Sequence, residues 1–251
     1  MARLGRRQPN RPIILHGKAA VAAGGQVVFD AVGPSSAGAG QTGATSPFTW
    51  SHTCTGSDRV LLVGVVLSPT GSDAAINTTV TYNGVAMTSV AGEVHTNAGT
   101  AGYAELFYLV APATGANTVS VTIVGAGTEG LECGSVSFTG VDQATATGNS
   151  ASASVAVASA VGNMVVDVVG CGQALGAHNQ TSRWLLNRSG ASGAGNGGQA
   201  TADGAASVTM TRTVTADFWA IIAADLAAAP VVGGLDDAPA RHPITQLAGY
   251  F

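Results

Sequence analysis

Between Gln26 and Asp217 nothing in this chain repeats with the period of a helix. Its apolar residues alternate with polar ones or form short runs, and Gly, Pro, Asn or Ser closes each run after a few residues. Side chains of a strand point alternately to its two faces. Alternation therefore marks a strand with one wet face, and a short unbroken apolar run marks a strand buried on both. The pattern predicts strands at Gln26–Asp30, Pro47–His52, Arg59–Leu67, Thr79–Gly84, Val85–Val90, Tyr103–Val110, Asn117–Val124, Leu131–Thr139, Asn163–Gly170 and Ser207–Thr213. A further one, Asp217–Leu226, runs into alanines that favour helix, and Phe218, Trp219, Ile221 and Ile222 decide it for strand. With no amphipathic helix between them to carry a parallel crossover, the strands must pair antiparallel. The expected fold is all-β: an antiparallel β-sandwich, jelly-roll-like, over residues 26–229, with extended arms at 1–25 and 230–251.

Two glycine-rich stretches, Gly33–Pro47 and Ser189–Gly204, read as long loops and, at that length, as contact sites for neighbouring subunits. Charged residues make up only 10% of the chain, roughly half the usual share. Hydrophobic residues reach 46% but aromatics 5%, so the core is assembled from many small alanine and valine contacts. Disorder goes with low hydrophobicity and high net charge. This composition has neither, and predicts a folded body whose neutral, hydroxyl-rich surface suits packing against other protein.

The net charge of −4 conceals a division: Arg3, Arg6, Arg7, Arg11 and Lys18 are five of the ten basic residues and all precede the first acid, Asp30. In the opening MARLGRRQPNRPIIL, Pro9 and Pro12 remove two backbone donors and bias Gln8 and Arg11 away from helix, which predicts an extended strap. Such a strap anchors by burying Ile13, Ile14 and Leu15 in a groove of a neighbouring subunit while Arg3, Arg6, Arg7 and Arg11 grip carboxylates, each through two parallel hydrogen bonds. Four arginines without aromatic partners or a basic body supply only salt-sensitive, non-specific attraction to nucleic acid, so no specific nucleic-acid partner is expected. His16, Gly17 and Lys18 cut the apolar run short, which argues against a secretory signal. No stretch of about 20 apolar residues is present to form a membrane-spanning helix.

Sequence patterns that resemble reactive sites fail on context. GAGQTG (Gly38–Gly43) and GAGTEG (Gly125–Gly130) match the dinucleotide fingerprint, but neither lies between a strand and a helix, where the helix N-terminus would meet the phosphates. His52 and Cys54 fall on one face of one strand, and no second pair completes a metal site. Cys54, Cys133 and Cys171 form no CxxC motif and read as small buried thiols, free in a reducing compartment. There is no GxSxG. The acids fall mostly at turns, and Glu105 reads as a strand acid facing solvent. Trp50, Trp184 and Trp219 with Tyr82, Tyr103 and Tyr108 either fill the core or form a sugar-stacking platform, and the scarcity of other large side chains favours the core. No enzyme activity, cofactor or metal is expected.

The stretch Arg59–Gln143, with RVLLVGVVLS, VTYNGVAMTSV, AELFYLVAPATGANTVSVTI and SVSFTGVDQ, resembles a β-sandwich family of tail-associated and other virion proteins of bacteriophages and of bacterial surface proteins. Its shared features are structural: turns at Asn83-Gly84, Pro112 and Gly140. The opening MARLGRRQPNRPIIL is similar to the N-termini of virion proteins, minor tail proteins among them, from phages of actinobacteria, and the preference for Arg over Lys fits a GC-rich genome. The resemblance implies a phage virion structural protein assembled in the bacterial host cytoplasm, foremost a minor tail protein. Its implied partners are other virion proteins, tail or capsid subunits, and further copies of itself as a homo-oligomer. The alternatives are a capsid decoration protein on the head surface, and a carbohydrate-binding or host-adhesion module with a host cell-surface glycan as partner.

Overall fold

The computed structural model describes residues 25–41, 46–68, 77–94, 103–124, 130–150, 154–188, 195–213 and 219–231, all within the compact unit Gly24–Val231. The anchor residues Arg3, Arg6, Arg7, Arg11, Ile13, Ile14 and Leu15, and the arm beyond Val231, lie outside the described residues. Among the described residues there is no helix. The strands are β1 (Val28–Gly33), β2 (Ala39–Gln41), β3 (Phe48–Cys54), β4 (Val60–Ser68), β5 (Asn77–Tyr82), β6 (Val85–Ala86), β7 (Thr88–Val94), β8 (Tyr103–Val110) and β9 (Gly115–Val124). They continue with β10 (Gly130–Thr139), β11 (Val141–Ser150), β12 (Ser154–Ala158), β13 (Met164–Cys171), β14 (Thr181–Asn187), β15 (Asn196–Asp203), β16 (Ser207–Thr211) and β17 (Trp219–Ala228).

Every described pairing is antiparallel, and the strands form four sheets. Sheet A runs β1-β10-β4-β8-β7, with β2 also paired to β10; sheet B runs β3-β9-β5-β6; sheet C runs β11-β17-β13-β15-β14; sheet D is β12-β16. The antiparallel β-sandwich is thus present, and it is deeper than two sheets. Three apolar cores separate four layers in the order B, A, C, D. Leu61, Val63 and Leu67 of β4 pack with Val80, Val119 and Val121 of sheet B. Leu62 and Val66, on the other face of β4, pack with Val166, Ile222 and Leu226 of sheet C. Val165 and Ile221 of sheet C pack with Val155 and Met210 of sheet D.

This layering accounts for the unbroken apolar runs. Strands β4, β10, β13 and β17 lie in the two inner sheets and are buried on both faces, so both sets of alternating side chains must be apolar or paired. Strands β3 and β16 lie in outer sheets and alternate: Trp50, His52 and Cys54 point inward from β3, and Val208 and Met210 from β16.

Two expectations need correction. Ser189–Gly204 is not a loop throughout, because its second half is β15, buried between β13 and β14. Its glycines are there for close packing: a β-carbon on Gly197 would stand 3.0 Å from Cβ of Glu132 and 3.2 Å from Val66, across the boundary between sheets A and C. Gly33–Pro47 likewise contains β2, which pairs with Leu131–Cys133. The Asn83-Gly84 turn is as expected. Both residues take positive φ, 51° and 77°, and close the β5–β6 hairpin, where asparagine and glycine bear that conformation at least cost.

Candidate functional site

Among the described residues, polar side chains of the interior gather in several separate clusters. The first joins sheets A and B through His52. Ser137 donates its single hydroxyl proton to Oδ2 of Asp30 at 2.7 Å, so the imidazole Nε2, 3.0 Å from Ser137 Oγ, must be the protonated nitrogen and donate to it. Nδ1 is then an acceptor, and Ser135 donates to it at 2.8 Å; Ser135 Oγ in turn accepts from Trp50 Nε1 at 2.9 Å. Asp30 is held by the backbone N–H of Thr55 at 2.9 Å and by the Thr55 hydroxyl. The Gly33 carbonyl oxygen also lies 3.2 Å from Ser135 Oγ, so the Ser135 proton is placed between two acceptors, the nearer being Nδ1. Burial lowers the pKa of His52 to about 4, against the raising effect of Asp30, so the ring is neutral. Burial pushes Asp30 upward, but its bonds from Thr55 and Ser137 outweigh this and hold the carboxyl below its ordinary value.

This chain of groups contains the residue types of a Ser-His-Asp relay in a different order. The carboxylate contacts Ser137 and not the imidazole, and His52, Ser135 and Ser137 are all buried at 1% exposure or less. It cross-links two sheets. The inward pairing of His52 and Cys54 is as expected from alternation, but His52 spends both nitrogens on serines, and among the described residues no three His, Cys, Asp or Glu side chains are placed to hold a metal. Cys54, Cys133 and Cys171 are buried, and Cys54 and Cys133 are free thiols. Burial raises the pKa of Cys54 and Cys133, which keeps them as poorly nucleophilic thiols.

The second cluster lies at the A–C boundary. Buried Glu132 accepts from Arg188 Nη1 at 3.3 Å and from the Gly195 N–H at 3.1 Å. The third lies between sheets C and D, where Asp167 accepts from the Ala200 N–H at 2.6 Å and faces Arg212 Nη2 at 3.7 Å. Asp167 is fully buried and its pKa is pushed up to about 6 by desolvation, against the lowering effect of Arg212. Glu105 corrects a further expectation: it is buried rather than solvent-facing, and accepts from Ser89 at 2.7 Å and Tyr103 at 2.8 Å. The aromatic residues share no platform. Trp50 belongs to the core between sheets B and A, and Trp184 to the core between A and C.

His52, Ser135, Ser137, Glu132 and Asp167 are buried, while the first cluster reaches the surface at Asp30 and exposed Thr55. Another feature that faces outward is the end of the body where the chain enters and leaves. A β-carbon on Gly25 would fall 2.2 Å from the Ala229 carbonyl oxygen; the Val27 N–H donates to the Gly162 carbonyl and the Ala229 N–H to the Gly140 carbonyl, both at 2.8 Å. The entry strand, the exit strand and the two connections at Gly140 and Gly162 therefore meet at one place. Around it stand the exposed side chains of Val28, Val161 and Val231, Val161 at 91%. Sequence reasoning did not single out Ser135 and Ser137, which are buried within β10. The available signal was that they share the alternation of Cys133 and continue it. Comparison of the chain with family models, with curated proteins and with solved structures finds no match in any of the three.

Proposed function

We propose that this chain is a bacteriophage virion structural protein, a minor tail protein held to the particle by its terminal arms. The reading starts from the resemblance of Arg59–Gln143 and of the opening arm to virion proteins. The observation that carries it is the meeting of Gly25 and Ala229 at one end of the body, beside exposed Val28, Val161 and Val231. A body that enters and leaves at one end presents both arms to the same neighbour and turns its four stacked sheets away from it. Its polar groups are spent on cross-linking sheets, which favours a rigid part over a reactive one. Capsid decoration is the nearest variant of this role. The carbohydrate-binding alternative needs a shared aromatic face, which Trp50 and Trp184 in separate cores do not offer.

Mass spectrometry of purified particles with quantified copy number tests the proposal. A minor tail protein is expected at a handful of copies per particle. A copy number matching the head lattice moves the role to decoration, and absence from the particle removes it.

A further inference from the structure

The strands fall into two consecutive groups: β1–β10 build sheets A and B, and β11–β17 build sheets C and D. The two inner sheets have one and the same plan. In sheet A the order is first strand, last strand, then β4, β8 and β7; in sheet C it is first strand, last strand, then β13, β15 and β14. The outer pair β3-β9 recurs as β12-β16. Registers then fix which residues correspond. On β10, Val136 pairs with Leu62 and Gly134 with Gly64; on β17, Ala224 pairs with Val166 and Ile222 with Val168. Leu62 thus corresponds to Val166, and Gly64 to Val168.

Irregularities correspond as well. The β7–β8 ladder carries a bulge between Ser89 and Ala91, opposite Phe107 and Leu106. The β14–β15 ladder carries one between Ser182 and Trp184, opposite Ala200 and Gln199, which are the matching positions. A trace remains in the chain itself: TGANTVSVT (114–122) and DGAASVTMT (203–211), which lead into and form β9 and β16, share Gly115/Gly204, Ala116/Ala205, Val119/Val208 and Thr122/Thr211. The halves differ by β2 and by the β5–β6 hairpin, in whose place the second half has the short connection from β13 to β14.

Most contacts between sheets A and C recur when the halves are exchanged. β8 meets β13 and β17, while β15 meets β4 and β10; β7 meets β17, while β14 meets β10; and β4 meets β13, its own counterpart. The exchange is not complete: β7 packs extensively on β11, whereas its counterpart β14 reaches β1 through the Arg183 guanidinium, 3.9 Å from the centre of the Phe29 ring. Recurrence under exchange is the property of an isologous, two-fold interface. On the axis Gly64 faces its counterpart, for a β-carbon on Gly64 would stand 2.7 Å from Val168 Cγ2. Sheet A supplies glycine again at Gly134, whose β-carbon would stand 2.4 Å from Trp184 Nε1.

We infer that the chain is a fused dimer: two copies of one sandwich, joined at Gly140, in which the inner face of sheet A is an interaction surface whose partner is another copy of the same fold, here the second half. The glycine-to-large pairs decide which copies meet. Pairing A with A would set Gly64 against Gly64 and leave a void, and pairing C with C would drive Val168 into itself. This inference stands apart from the virion reading and holds or fails without it.

The test exchanges the axial residues in the full chain. L62V/G64V gives β4 the residues of β13 and puts valine against valine; adding V166L/V168G gives β13 the residues of β4 and restores the same pair seen from the other side. The first variant is expected to melt about 5–10 °C below the wild type, and the fourfold exchange to recover at least half of that loss. If the first variant does not fold, a native circular dichroism spectrum for the fourfold exchange supports the inference. A fourfold variant that melts no higher than the twofold one, or stays unfolded as it does, overturns it, because without two-fold correspondence further core substitutions only add damage.

Discussion

His52 shows how one residue ties the two sheets of the first half to the pH. Its native pKa of about 4 lies below the ordinary 6.5, so the unfolded chain binds the proton more tightly than the native one. The stability this contributes is complete above pH 6.5 and is lost as the pH falls toward 4, by about 3 kcal/mol. Asp167 works in the opposite sense. Raised from 3.8 to about 6, it makes the native state the tighter binder, so acidification from 6 toward 4 favours folding by a similar amount. The two slopes offset one another in the wild type. His52→Gln keeps a donor for Ser137 but cannot titrate, and urea midpoints measured from pH 7 to 4 are expected to show it gaining about 3 kcal/mol relative to wild type across that range. Parallel profiles would mean that the ring takes up its proton at the same pH in the native protein as in the unfolded chain. Ser137→Ala tests the proton assignment: it strands the Nε2–H in the interior and should cost about 1–3 kcal/mol at pH 7, whereas Thr55→Val, which leaves the imidazole partnered, should cost less.

At the scale of elements, correspondence between the halves explains a pair that the packing does not. Asp167 on β13 corresponds to Val63 on β4, and Arg212 just after β16 corresponds to Ile123 on β9; Val63 and Ile123 lie together in the core between A and B. The second half has an ion pair where the first has an apolar contact, and Arg212 makes no hydrogen bond through Nε, Nη1 or Nη2. Asp167→Val alone should destabilise by about 3–5 kcal/mol by stranding the guanidinium, while D167V/R212I should be neutral or more stable than wild type by about 1–4 kcal/mol; chemical denaturation of both variants decides it. The central strands β4, β10, β13 and β17 were legible in the sequence because burial on both faces removes polar residues: RVLLVGVVL and DFWAIIAADL admit little else. β15 was not. GNGGQATAD carries the residues of a loop, and its glycines make sense only against Glu132 and Val66, which come from another sheet. β11 and β12 were missed for a like reason, since GVDQATATGNS and SVAVA owe their pairing to β17 and β16 rather than to any apolar run of their own. The anchor arm drew the functional reading from arginine and proline alone, and its residues lie outside those described.

For the whole molecule, the question is whether folding and anchoring are separable. All three cores are built from residues between Val27 and Leu226, and every described cross-link between sheets lies within the same span. The 24 residues before Gly25 and the 20 after Val231 contribute nothing to these cores. Removing residues 1–18 takes away Arg3, Arg6, Arg7, Arg11, Ile13, Ile14 and Leu15 together and leaves Gly25 with its contact to Ala229 intact. The truncated protein is therefore expected to melt within about 2 °C of the full chain, a difference of at most about 1 kcal/mol for a body of this size, and to be missing from assembled particles. Because both arms leave from one end, truncation after Leu235 should weaken incorporation as well, acting on the same contact from the other side. Sedimentation of particles assembled with each truncated protein, read by mass spectrometry, separates the two properties. A large fall in melting temperature would make the first arm part of the fold, and normal incorporation of both truncated proteins would leave anchoring to the surface around Val28, Val161 and Val231.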